Sequence, residues 1–195
     1  MSSLNDAALR RLPQTFRYSD ARELMNERRF RDLLSQGLIL QLNRGLYRKA
    51  DAEGDLDLIE IAGRRPMATL CLTSALARHD LTDAIPGAYD IALPRGSRPT
   101  KTQTPVEWHA FDRRTFDIGR ETLQLDGQTT IGLYSAERSI IDAFRMRETE
   151  GYEAGNEALR RWLRRRGSQP GHLIAMAAGF PKAHAAIRRS LEILL

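Results

Sequence analysis

The sequence predicts an α+β protein: a winged helix-turn-helix over residues 1–50, followed by a mixed α/β domain over residues 55–195 with a small sheet and a helical C-terminal end. Three observations predict it. Residues 1–50 hold ten Lys/Arg against five Asp/Glu, while the other 145 residues hold twenty of each, so the whole surplus of +5 lies at one end. Residues 19–49 pass from two short helical periods into a basic hairpin. From Ser135 onward the apolar spacing turns from strand-like to helical.

Leu4, Ala8, Leu9 and Leu12 recur at helical spacing, and Pro13 ends that helix. Ser19 is the expected N-cap of a short second helix whose apolar face is Ala21, Leu24 and Met25; with Arg22 at the fourth position, no capping box is expected. A third helix follows over residues 27–36. Phe30, Leu33 and Leu34 face inward, and Gly37 sits where a left-handed C-cap belongs. Its outward positions are Arg28, Arg29, Arg31, Asp32 and Ser35. Residues 38–42 read as a strand, Asn43-Arg44-Gly45 as a tight turn, and Leu46-Tyr47-Arg48-Lys49 as the returning strand.

Beyond an acidic linker at residues 51–55, Leu56, Leu58, Ile59 and Ile61 mark a buried helix ending near Gly63. Thr73 is the expected N-cap of a helix over residues 74–79. Residues 90–93 and 106–110 read as strands, and Asp126-Gly127 between residues 122–125 and 129–133 signals a hairpin. Ile140, Ile141, Ala143 and Phe144 form one helical face and Ala154, Ala158, Leu159, Trp162 and Leu163 another. Two more helices are expected over residues 171–178 and 182–195.

Composition sets the class. Hydrophobic content of 42% and charge of 28% are globular values. No apolar run approaches the ~20 residues needed to cross a bilayer, and the start lacks a signal-peptide pattern, so a cytoplasmic protein is expected. The single cysteine, Cys71, lies in an apolar run and is expected to be buried.

A helix followed by a basic wing suits duplex DNA: cations spread along phosphates while one helix enters the major groove. The candidate DNA-binding residues are Arg28, Arg29, Arg31, Ser35, Arg44, Arg48 and Lys49, with Arg44 placed to enter a minor groove. Winged helices also dock proteins, so an interaction module without DNA binding is the competing reading. A second basic group comprises Arg95, Arg98 and Lys101 in one loop and Arg160, Arg161, Arg164 and Arg165 at one helix end. Either set serves as a solvated surface or as a contact to nucleic acid or an acidic partner.

Catalysis is not expected. His79, His109, His172 and His184 are scattered without metal-ligand spacing, so no metal or cofactor is expected. No phosphate-binding glycine loop or GxSxG elbow is present. Gly96-Ser97 has the composition of a nucleotidyltransferase loop, but Asp112 and Asp117 are not spaced as a magnesium-binding pair. Ser74 is read as a helix-start residue rather than a nucleophile.

The chain resembles the AbiEi antitoxin family of type IV toxin–antitoxin systems. The likeness rests on Arg44-Gly45-Leu46-Tyr47, on the run from Leu72 to Thr82, on Ile91-Ala92-Leu93-Pro94-Arg95-Gly96, and on the run from Tyr134 to Arg145. It spans residues 19–163, and the chain departs from the family in its very short second helix. The resemblance implies an N-terminal winged helix-turn-helix that binds repeats in its own promoter and represses the operon; two copies on an inverted repeat are the expected arrangement. It also implies a C-terminal domain that counteracts a nucleotidyltransferase-type toxin.

Overall fold

The computed structural model describes residues 3–195, with side chains described for residues 7–146 and 153–195; Leu4 of the first helical face lies outside the described side chains. The chain is a mixed α+β protein that divides into two compact units. The first comprises Met1–Pro66 with Leu123–Ile131, and the second Met67–Thr122 with Gly132–Leu195. The division therefore falls at Pro66, not between residues 50 and 55, and the first unit also takes a distant segment.

The first unit runs α1 (Ser3–Arg11), β1 (Thr15–Arg17), α2 (Tyr18–Leu24), α3 (Glu27–Ser35), β2 (Ile39–Asn43), β3 (Leu46–Lys49) and α4 (Leu56–Arg64). The strands form one sheet of order β1-β3-β2, antiparallel throughout, with Phe16 and Gln41 flanking Tyr47. Strand β1 was not expected: three residues are too few to show alternation. Helix α2 starts at Tyr18 rather than after Ser19, and Asp20 reaches back to accept the Arg17 N–H at 2.8 Å. Asn26 caps α3 by accepting the Arg29 N–H at 2.9 Å. Gly37 (φ 67°) and Gly45 (φ 83°) take the left-handed conformation that the C-cap and hairpin turn demand. The core gathers Leu12, Phe16, Ala21, Phe30, Leu33 and Tyr47, with the Phe30 and Tyr47 rings edge to face at 4.8 Å.

The distant segment of this unit is anchored by Asp126, which is buried and accepts the Thr15 hydroxyl at 2.6 Å. Its other oxygen accepts the N–H groups of Gln128 and Thr129, at 3.0 and 2.7 Å. Burial pushes this carboxyl's pKa up, but the Thr15 hydroxyl and the two N–H groups outweigh it and hold it below its usual value. A folded pKa below the unfolded value of about 3.9 means that the stabilisation is complete above that pH and is lost as acid passes the folded pKa. Asp126→Ala is expected to cost roughly 1–3 kcal/mol at neutral pH, because buried donors lose their acceptor. The gap to wild type should close on acidification. Denaturant midpoints at neutral and acid pH check this; equal midpoints at neutral pH refute it.

The second unit carries β4 (Thr69–Leu70), α5 (Leu72–Arg78), β5 (Tyr89–Pro94), β6 (Val106–Phe111) and α6 (Arg113–Phe116). Then come β7 (Arg120–Gln124) and β8 (Thr130–Tyr134), whose adjoining ends belong to the Leu123–Ile131 segment of the first unit, and α7 (Ala136–Arg145), α8 (Arg147–Leu163), α9 (Pro170–Ala177) and α10 (Pro181–Leu194). The five-stranded sheet has the order β6-β5-β4-β8-β7. Strand β4 is antiparallel to β5 and parallel to β8, and β5 is parallel to β6. Helix α5 begins at Leu72 with Cys71 as an N-cap lacking a side-chain bond, so Thr73 is not its cap. Instead Asp90 of β5 accepts the Ser74 N–H at 3.2 Å. Cys71 is fully buried, as expected, and burial pushes its thiol pKa well up.

Helix α7 is the hub, packing against α5, α8, α9 and α10. Ser135 caps it by accepting the Arg138 N–H at 3.2 Å. Ile140, Ile141 and Phe144 enter a core shared with Leu159, Trp162 and Ile187. On its other side Arg138 and Asp142 are also fully buried, four residues apart and bonded at 2.9 Å.

Candidate nucleic-acid interface

In the first unit, capping by Asn26 orients α3, and burial of Phe30 and Leu33 turns the intervening positions outward. Arg28, Arg31 and Ser35 are exposed on this helix, and Arg44 is exposed at the β2–β3 turn. A recess of about 450 Å³ lies between helix and turn, lined by Tyr18, Glu27, Phe30, Arg31, Arg44 and Tyr47. Arg31 and Arg44 thus share one opening although thirteen positions apart in sequence.

The recess also holds an acid, Glu27. Glu27 accepts the Tyr18 hydroxyl and, at 2.8 Å, Nε of Arg31. The Tyr18 hydrogen bond and then the Arg31 guanidinium hold its carboxyl below the usual range, while the same bond pushes the Tyr18 phenol up. Arg31 therefore approaches any phosphate already paired. Its side chain is 76% exposed, so the pairing is screened and readily exchanged.

The remaining first-module candidates divide. Arg29 is half-buried, with Nε and Nη2 buried and without partners among the described residues. The Ser35 hydroxyl donates to the Asp32 carbonyl at 2.9 Å, and Lys49 reaches the Arg10 carbonyl at 3.4 Å. Arg48 is a correction: it is 1% exposed, not a cation on the hairpin surface. Tyr47 and Arg48 alternate along β3, and on the face away from the Tyr47 core the Arg48 guanidinium is covered and donates to the Glu53 carbonyl. Its Nε and Nη1 have no partner among the described residues. Arg48→Met, which keeps the buried stem and removes the charge, is expected to leave the salt dependence of any DNA binding unchanged. A fall in the log–log salt slope by about one would contradict this burial.

In the second unit the candidate cations occupy two elements. Arg95, Arg98 and Lys101 are exposed on the loop after β5. That loop meets the start of α6, where Arg113 Nε donates to the Arg95 carbonyl at 2.8 Å. Exposed Arg113 and Arg114 thereby join the basic group; parallel pairing of β5 with β6 places them there, which spacing alone does not reveal. Arg114 is paired with Asp112 at 3.3 Å. At the end of α8, Arg160 and Arg164 are exposed. Arg161 is tied to Asp83 and Glu157, and Arg165 donates to the His79 carbonyl, so these two serve packing first.

Among the described residues, Ser74 makes no bond to a histidine that would activate it. Its hydroxyl lies 3.4 Å from Asp90 Oδ2 and accepts the Asp90 N–H at 2.8 Å.

The architecture is thus that of a mixed α+β protein with two small sheets and a helical C-terminal end. It is similar to the crystal structure of the RV2827C protein from Mycobacterium tuberculosis, with a TM-score of 0.63 over 97% of this chain and 76% of that one. The identity is 15%, so the likeness is one of fold. No family model matches the chain, and no curated protein matches it. Among the described residues, no helix is long and apolar enough to cross a membrane.

Proposed function

We propose that this protein is a DNA-binding transcriptional autorepressor and the antitoxin of a type IV toxin–antitoxin system, counteracting a nucleotidyltransferase-type toxin. The observation that carries the DNA-binding part is the clustering of Arg28, Arg31 and Arg44 on an outward helix and an adjoining hairpin turn of the most basic segment. Read as a winged helix-turn-helix, α2 crosses the backbone, α3 enters the major groove and the β2–β3 hairpin is the wing. Phosphate contacts supply most of the grip and fix the register. Two copies on an inverted repeat match the half-site logic of such modules. The antitoxin part rests on the resemblance carried by the Leu72–Thr82 and Tyr134–Arg145 runs. The exposed Arg95 loop with Arg113 offers a surface for an acidic toxin face or for flanking DNA.

An electrophoretic shift on the upstream promoter, at two salt concentrations, tests DNA binding; co-expression with the neighbouring reading frame in a growth assay tests antitoxicity. A second reading, a module that docks a partner without DNA, is favoured by Leu38 and Leu40, 43% and 42% exposed beside and on the edge strand β2. Co-purification with the partner but no promoter shift selects it.

A further inference from the structure

We propose that Asp90, Glu107 and His109 form a binding site for a divalent transition-metal ion of the zinc class. Strands β5 and β6 run parallel, with Asp90 opposite Glu107 and Ala92 opposite His109. Glu107 and His109 alternate on β6 and so share a face with Asp90. One donor atom from each lies within 4.8 Å of the others. Ligands of a tetrahedral ion with bonds of about 2.0–2.2 Å lie about 3.4 Å apart, so the widest pair must close by up to about 1.4 Å, which a rotamer change of exposed Glu107 supplies.

The donors are held in place. Asp90 Oδ1 lies 2.9 Å from His109 Nε2, while Oδ2 is fixed by the Ser74 N–H at 3.2 Å and its hydroxyl at 3.4 Å. Ser74 is itself buried, so the carboxylate carries the outer-shell support typical of metal ligands. Two carboxylates converge here on one imidazole. No Lys or Arg pairs with Asp90 or Glu107 among the described residues, and Glu107 has no hydrogen-bond partner there. An ion balances that charge. One nitrogen and two oxygen donors suit zinc, whereas calcium and magnesium prefer oxygen throughout. Strand β6 is the sheet edge and Glu107 is exposed, so solvent completes the coordination. The sequence hid this set, because seventeen residues separate Asp90 from Glu107 and only strand pairing unites them.

The full chain, stripped with chelator, is titrated with zinc chloride by calorimetry and with cobalt(II) by absorption. One ion per chain is expected, with the d–d bands of a four-coordinate cobalt site. His109→Gln, which keeps a donor to Asp90, and Glu107→Gln should each weaken binding at least tenfold and abolish the cobalt bands. Ser74→Ala, which loosens the positioning of Asp90, should weaken it by about 10–100-fold. His172→Ala, at an exposed position on α9, should bind as wild type. Circular dichroism establishes that each variant is folded. Wild-type binding no tighter than millimolar, or binding by the two ligand variants as tight as by wild type, overturns the proposal.

Discussion

Replacing Arg28, Arg31 and Arg44 together by alanine is expected to lower the log–log salt slope of promoter binding by about 2.7, since each phosphate-bound cation contributes about 0.9. If affinities converge near 1 M salt, that slope difference amounts to roughly 500-fold at 0.1 M. The three side chains are exposed and lie on a helix and a turn whose cores are formed by Phe30, Leu33 and Tyr47. Their loss should leave the melting temperature nearly unchanged, as exposed positions usually do. The Glu27 pairing adds a refinement: Arg31 must leave or share its carboxylate to bind phosphate, so Arg31→Ala alone should cost less than Arg28→Ala or Arg44→Ala. Salt-resolved shift assays on the three single variants and the triple measure this. A triple variant with an unchanged slope removes the helix and hairpin from the DNA interface and leaves the partner-docking reading.

Asp142→Ala is expected to destabilise the second unit by about 3–5 kcal/mol, the usual cost of leaving a buried charge alone. At roughly 2–4 °C per kcal/mol for a protein of this size, its melting transition should fall by about 6–20 °C. Arg138 is fully buried; its Nε donates to Asp142 at 2.9 Å and its Nη1 to the carbonyls of Thr115 and Ile118 at 2.7 and 2.6 Å. The guanidinium lies 4.1 Å from the Tyr134 ring centre and 4.5 Å from that of Phe180. Arg145 also donates to Asp142, but it is partly exposed and can return to water. Burial pushes the Asp142 carboxyl up, against the opposing pull of Arg138 and Arg145, which is the mark of a group that depends on its partners. The double variant Arg138→Met/Asp142→Leu should recover much of the loss, because apolar residues of similar volume replace the pair without an orphaned charge. Equal stabilities for the single and double variants would show that packing volume, not charge, dominates there.

The helical periods and the hairpin turns were legible because each is written locally. Pro13 stops α1, Gly37 closes α3, and Gly45 and Asp126-Gly127 mark turns. The Arg138–Asp142–Arg145 triad shows helical i,i+4 and i,i+3 spacing, although its burial does not show in the sequence. What escaped depends on packing or on partners distant in sequence. Arg48 is buried on its sheet face, where it donates to the Glu53 carbonyl in the segment after β3, and that packing is not written in the local alternation. Ser74 gives its N–H to Asp90, sixteen residues on, so the α5 start could not be placed from Thr73. Among the DNA-binding candidates, Arg28, Arg31 and Arg44 remain presented to solvent, whereas Arg48 is buried.

Thr15 and Asp126 belong to one compact unit although 111 positions separate them. A ribosome therefore releases the basic amino-terminal module well before it releases the last piece that module needs. Until Ile131 has emerged, the nascent module lacks the Asp126 anchor, and its folding is tied to the progress of translation through the second unit. A fragment cut at Pro66 inherits the same deficit, so the module is best studied within the full-length chain.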